Sequence, residues 1–309
     1  MTLIVRDLRI EDRGDVERFA HVRHLALPYV LWTAEAIRHS LTGTAPAARR
    51  RALVAEEDGE VIGTSQVALL HDSPEPGQGY LNVYVHPERL GRGAGTGLVR
   101  ASEEHLIAHG ATKLFSWVLD TPADRAFAER HGYRSGRTAH FLRLDLTAAA
   151  LPPLQPPPPG VELRTLADFA NDPRPLFALD AETTSDEPSD VDTELADYEA
   201  WLRSTWEHPS LDRELSTVAV VDGRPAAFTV AHTDGSTRYA SGMTGTARAF
   251  RGRGLAKLAK NASLHRARAA GLTEALTGND SGNGPMLAVN QWFGYEIRAT
   301  EVRYVRELG

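Results

Sequence analysis

One run of segments occurs twice in this chain, and the repetition limits the fold more than any single residue does. Leu3-Ile4-Val5-Arg6 reads as a short strand and Val161-Glu162-Leu163-Arg164 answers it. Ala52 to Ala55, closed by the turn Glu57-Asp58-Gly59, is answered by Ser216 to Val221 with Asp222-Gly223. Val61 to Leu70 is answered by Pro225 to Ala231, the glycine loop after Leu90 by the loop at Arg251, and Gly132-Tyr133 by Gly294-Tyr295. A final strand, Arg298 to Glu307, pairs with Arg137 to Asp145. Helical patterns at Asp12 to His24 and Thr33 to Leu41, and strands among them, give a mixed α/β fold in two copies.

Between the copies, Pro152-Pro153-Leu154-Gln155-Pro156-Pro157-Pro158-Pro159-Gly160 lacks most backbone donors. An extended spacer of about 25 to 30 Å follows from that composition; a ligand for a proline-binding partner is the alternative. The expected division is therefore 1–150, a Pro-rich linker at 151–160, and 161–309. A length of 309 residues gives each copy enough chain for its own core. Without any cysteine, disulfides, thiolate zinc sites and a cysteine nucleophile are excluded. His105 and His109 stand one helical turn apart, but no third ligand follows, so no metal is expected. A net charge of −7 argues against nucleic acid as the main partner. No apolar run reaches membrane-spanning length, and charges from Arg6 onward preclude a signal sequence, so no membrane partner and a cytoplasmic location are expected.

Chemistry enters at Arg251-Gly252-Arg253-Gly254-Leu255-Ala256, followed by a helical pattern from Lys257. A strand-to-helix turn of this kind turns unpaired N–H groups and the positive end of a helix toward an anion. Arg248, Arg251, Arg253, Lys257, Lys260, Arg266 and Arg268 carry no Asp or Glu among them, so a strongly anionic ligand is expected. The spacing satisfies neither a P-loop nor a dinucleotide fingerprint. It does resemble the Arg/Gln-x-x-Gly-x-Gly/Ala motif of the GCN5-related N-acetyltransferases. The resemblance covers nearly the whole chain in segment order, and is to tandem members, mycothiol synthase among them. It implies two domains, each a central, mostly antiparallel mixed sheet flanked by helices, and an enzyme moving acetyl from acetyl-CoA to a primary amine.

The same resemblance implies that Arg251 to Ala256 hold the acetyl-CoA pyrophosphate, with Thr244 and Thr246 ahead of the loop and Asn283 and Asn290 beside the pantetheine arm. Asn279 belongs to the same pattern; capping of a helix by Asn279 and Asn283, and backbone satisfaction by Asn290, are the alternative. The first copy has Leu90 where the family has Arg or Gln, which implies a structural role or weak CoA binding. Many members carry a tyrosine as general acid where this chain has Asn290 and Ala128, and some a carboxylate where it has Ala240 and Gly79. A non-catalytic CoA-binding or interaction module is the rival reading. A base must come from elsewhere. Asp180 to Glu199 holds nine carboxylates and no Lys or Arg; without them the net charge would be +2. That suits a small cationic amine acceptor, with Asp186 and Asp190 as candidate bases and Trp201 and Trp206 as candidate pocket walls; a solvated acidic loop and helix face is the alternative.

Overall fold

The computed structural model describes residues 2–43, 45–71, 73–187, 189 and 195–308. The chain forms two compact units, Met1–Ala139 with Ala299–Gly309, and His140–Arg298. The first half runs β1 (Leu3–Asp7), α1 (Arg13–Ala26), α2 (Ala34–Thr42), β2 (Arg51–Glu57), β3 (Glu60–Leu69), β4 (Gln78–Val85), α3 (Ala94–Ala108), β5 (Lys113–Leu119), α4 (Pro122–Arg130) and β6 (Arg134–Asp145). The second runs β7 (Val161–Thr165), α5 (Arg174–Thr184), α6 (Tyr198–Trp201), β8 (Leu211–Val221), β9 (Arg224–Thr233), β10 (Arg238–Thr246), α7 (Leu255–Ala269), β11 (Glu274–Asp280), α8 (Gly284–Trp292) and β12 (Glu296–Glu307). No described helix is long and apolar enough to cross a membrane.

In the first unit β1, β2, β3 and β4 are successively antiparallel. β4 then runs parallel to β5, and β5 pairs antiparallel with β12 from Leu119–Glu301 to Lys113–Glu307. In the second unit β7 to β10 are antiparallel, β10 runs parallel to β11, and residues 140–145 of β6 lie beside β11, where Arg143 is ion-paired with Glu274. Each unit thus takes its last strand from the other half of the chain. The repeat boundaries 1–150 and 161–309 stay our proposal for the duplicated segment; the compact units differ from them by the terminal strands and by the linker.

Local chemistry explains the elements. Asp58 and Gly59 at φ 49° and 89°, and Asp222 and Gly223 at φ 48° and 75°, give both hairpins the left-handed pair of turn residues that suits the twist of the flanking strands. Asp12 and Thr33 cap α1 and α2 by accepting backbone N–H groups. Val16, Phe19 and Ala20 on one face of α1 pack with Ala52, Val54 and Val61 in the first unit's core. Trp201 and Trp206 are 3% and 7% exposed and stack at 5.9 Å in the second unit's core with Phe228 and Val230, where they support the sheet. The Pro-rich segment is fastened to α7: Asn261 Nδ2 donates to the Pro152 carbonyl at 3.1 Å, and His265 Nε2 lies 2.9 Å from the same oxygen.

Candidate functional site

In the second unit, β10 ends at Thr246 and the chain passes through Gly252 and Gly254, both at φ 75°, before α7 begins. No heavy atom lies within 4 Å of the place a β-carbon would occupy on either glycine, so the loop presents bare backbone. Leu258 N–H, donating to Gly254 at 3.0 Å, is the first bonded amide of the helix. From Gly252 to Lys257 the N–H groups meet no acceptor among the described residues. Backed by the positive end of α7, they make a cradle for an anion.

Charge around this cradle is divided. Arg253 lies over the Phe250 ring at 5.6 Å and Lys257 over the Trp292 ring at 4.8 Å, with no acid paired to either among the described residues. Arg248 and Arg251 are compensated from far away in sequence. Asp186, just past α5, accepts from Arg248 Nε and Nη2 at 2.9 and 2.7 Å and from Arg251 Nη2, while Glu182 accepts the Arg248 backbone N–H at 2.6 Å. The two guanidiniums, Arg248 foremost, hold the Asp186 carboxyl down at about 2. A carboxylate so held accepts a proton poorly, and its geometry is that of a brace for the loop. Asp190, the other candidate base, lies outside the described residues.

The remaining acids of this stretch are also partly engaged. Asp180 is buried and accepts from Trp201 Nε1 at 2.7 Å; Asp197 caps α6. Asp192 and Glu194 lie outside the described residues.

Ahead of the loop the sheet opens. β10 and β11 pair only over Arg238–Glu274, Tyr239–Ala275 and Ala240–Leu276. Between Ser241 and Thr244 the register with β9 shifts, and Gly242 is exposed at the point where the strands part. A bulge there turns ladder groups of β10 away from β9. Thr244 hydrogen-bonds Thr229 at 2.7 Å, and the Thr246 carbonyl accepts from Arg251 Nε at 3.2 Å, tying the strand to the loop. Gly245 admits α5, since a β-carbon there would stand 2.6 Å from Thr183.

The expected asparagines divide by role. Asn283 is the N-cap of α8, accepting from Met286 N–H at 3.2 Å. Asn290 is wholly buried: its Oδ1 accepts from Lys260 Nζ at 2.6 Å and its Nδ2 donates to Asn279 on β11. Lys260 is wholly buried too, 5.0 Å from the Tyr295 ring centre, and burial pushes its ammonium down to about 7.

One residue was not among the sequence candidates. His232 on β9 sits with Nε2 3.0 Å from where a β-carbon on Gly242 would stand, beside the opening. Its ring is 5.2 Å from that of His208, and burial, then the neighbouring imidazole, lower it to about 4. A histidine at a strand end carries no sequence signal; only the register puts it there.

The first unit has the same parts in a different state. Gly91 and Gly93, at φ 75° and 89°, lead into α3, but Arg89 is paired with Glu60 at 2.6 Å, Arg92 with Glu57 at 2.7 Å, and Leu90 stands 62% exposed. β4 and β5 also pair over three positions only, yet past them Asn82 Oδ1 accepts the Trp117 N–H at 3.0 Å and bridges the gap. No register shift interrupts β4.

Comparison with known proteins agrees with this geometry. The profile described as "Acetyltransferase (GNAT) family" matches residues 19–133 and again 175–295. A mycothiol acetyltransferase of Nocardia farcinica is 30% identical over 293 residues, covering 88% of this chain and 93% of that protein. That of Thermomonospora curvata is 29% identical, covering 84% of each. Among solved structures, a tandem GNAT protein from the clavulanic acid biosynthesis pathway superposes with a TM-score of 0.75 at 23% identity, over 100% of this chain and 99% of that one. A GCN5-related N-acetyltransferase from Sphaerobacter thermophilus gives 0.73 at 21%, over 99% and 95%.

Proposed function

We propose, from the premise that this chain belongs to the acetyltransferase (GNAT) family, that its second unit alone carries acetyl transfer, to the primary amine of a small cationic acceptor. The transfer itself comes with the family: the chain is an acetyl-CoA-dependent N-acetyltransferase, and acetyl-CoA is its acyl donor. The observation that supports the assignment to one unit is the opened strand pair. In the second unit a bulge and the exposed Gly242 leave the gap between β10 and β11 unbridged among the described residues, directly ahead of a cradle of bare amides. In the first unit Asn82 bridges the gap and local acids neutralise the loop arginines.

In this reading the amides from Gly252 to Ala256, with Arg251, Arg253 and Lys257 around them, hold the donor's phosphates. The donor's amide arm lies along β10 past Thr244 and Thr246, and its thioester reaches the opening at Gly242. Asn283 and Asn290 stand behind this surface as a cap and as a buried bridge, and orient α8 without touching the donor. The amine attacks the thioester carbon, the C–S bond breaks from the tetrahedral intermediate, and the thiolate leaves, tolerable without an acid because thiols ionise near pH 8.5. His232, neutral at working pH, stands beside the opening with an unprotonated ring nitrogen able to accept a hydrogen bond from the attacking amine and orient it, and the proton that the nitrogen sheds passes to water. Asp186 braces the phosphate loop. The relatives' names make a small molecule the first class of acceptor to test, and the acids between Asp180 and Glu199 favour a cation.

Release of free CoA thiol in the presence of a panel of polyamines and amino sugars tests the reading. Turnover in the parent, lost at least tenfold in His232→Leu, which removes the acceptor, with unchanged acetyl-CoA affinity, is expected. Tight acetyl-CoA binding without turnover on any amine would instead favour a non-catalytic binding module.

A further inference from the structure

The first unit holds a buried cation that none of the above uses. Arg23, in the last turn of α1, is 2% exposed, and no carboxylate among the described residues pairs with it. Rings cover its guanidinium: Phe19 at 4.6 Å, Trp32 at 4.9 Å and Tyr84 at 4.9 Å. Nη1 reaches Gln66 Oε1 at 3.3 Å, while Nε and Nη2 are buried with no hydrogen-bond partner.

These two nitrogens form one edge of the guanidinium. With that same edge Arg51 grips Asp7 and Arg248 grips Asp186 elsewhere in this protein. It is the fork that matches two oxygens of one carboxylate. Burial lowers Arg23 only to about 10, so the group stays charged. Desolvating an ion costs several kcal/mol, and cation–π contacts of about 0.5 to 2 kcal/mol each offset part of it but satisfy no N–H. A second buried polar atom is also without a partner here: Thr64 Oγ1 on β3, whose residue stands opposite Tyr84 in the β3–β4 register.

The segment 27–33 between α1 and α2 is irregular, its residues from Pro28 to Thr33 are half-buried, and it is held by the Trp32 indole N–H donating to the Leu27 carbonyl at 3.0 Å. Displacement of Trp32, half-buried and set over the guanidinium, is the route by which a ligand would reach Arg23.

We propose that the first unit is a binding site for a small carboxylate, whose two oxygens take the Nε and Nη2 edge of Arg23 and whose apolar or aromatic body lies against Trp32 and Tyr84. The lone cation and aromatic walls suit a singly charged anion with an apolar body. They do not suit a polyanion such as phosphate. The proposal stands apart from the acetyl-transfer reading, because no residue is shared.

Calorimetry on the full chain saturated with acetyl-CoA tests it, with benzoate and phenylacetate as probes and benzamide and inorganic phosphate as controls. Saturable binding of at least one carboxylate, with neither control binding, is expected. Arg23→Lys keeps the charge but loses the fork and should weaken that binding at least tenfold, with acetyl-CoA affinity within twofold of the parent. Trp32→Leu, which leaves the buried cation in place, should weaken it by a similar factor. The idea is overturned by failure of both carboxylates to bind the parent, by equal binding of benzamide, by preferential binding of phosphate, or by parental affinity in either variant. Arg23→Met adds a separate reading. A raised unfolding midpoint with carboxylate affinity unchanged would mark Arg23 as packing only, and a loss of carboxylate binding in the folded variant supports the site.

Discussion

At the scale of single residues, partners distant in sequence decide what each charged group can do. Asp186 looked like a base because it lies in an acidic run; its folded partners are Arg248 and Arg251, more than sixty residues on. Asp186→Asn is therefore expected to raise the Michaelis constant for acetyl-CoA by about threefold to tenfold through a loosened loop, and to change turnover by less than threefold; steady-state kinetics separates the two. No feature of the sequence around Lys260 announces its burial, since it sits in a basic run that reads as surface. Its folded value near 7 lies below the ordinary lysine value of 10.5. Below pH 7 both folded and unfolded states hold the proton and the burial cost is present in full. From about 7 to 10.5 only the unfolded state holds it, so stability should rise with pH across that window. Urea midpoints measured at pH 7 and pH 9.5 should show this rise in the parent and not in Lys260→Met.

Among elements, glycine placement separates the two strand-to-helix loops from the strands behind them. Both loops, both Asp-Gly hairpins and the order of strands are legible in the sequence, because turn chemistry is local and the segments recur. Strand β10 is hardly legible: Gly242 and Gly245 weaken its pattern, one to keep the opening clear and the other to admit Thr183. The bridge from Asn82 to Trp117 could not be read either, since it joins residues 35 apart across strands that do not pair there. In the loop, Gly254→Val puts a β-branched side chain at φ 75°, which costs about 1 to 2 kcal/mol of backbone strain for an L-residue, and covers the bare amides. Acetyl-CoA affinity should fall at least tenfold by calorimetry, while the circular dichroism spectrum is unchanged. Binding equal to the parent would remove the loop from the donor site.

For the molecule as a whole, two copies of one fold with one open strand pair imply one tight acetyl-CoA per chain. Titration of the full chain should give a stoichiometry near one, and Gly254→Val should abolish it without uncovering a second tight site. Two tight sites would contradict the division of labour between the units.

The traded strands bear on how this chain comes into being. Residues 299–308 complete the first unit's sheet, although everything else described in that unit lies before residue 140. On a ribosome, the first unit must wait for residues 299–308, which are made after the whole of the second unit, with β5 lacking its β12 neighbour and Leu114 and Phe115 short of their cover. The second unit has all its residues slightly earlier. Synthesis order and completion order are thus inverted, and a chain stopped at residue 298 should keep donor binding in the second unit while its first half becomes the target of proteases.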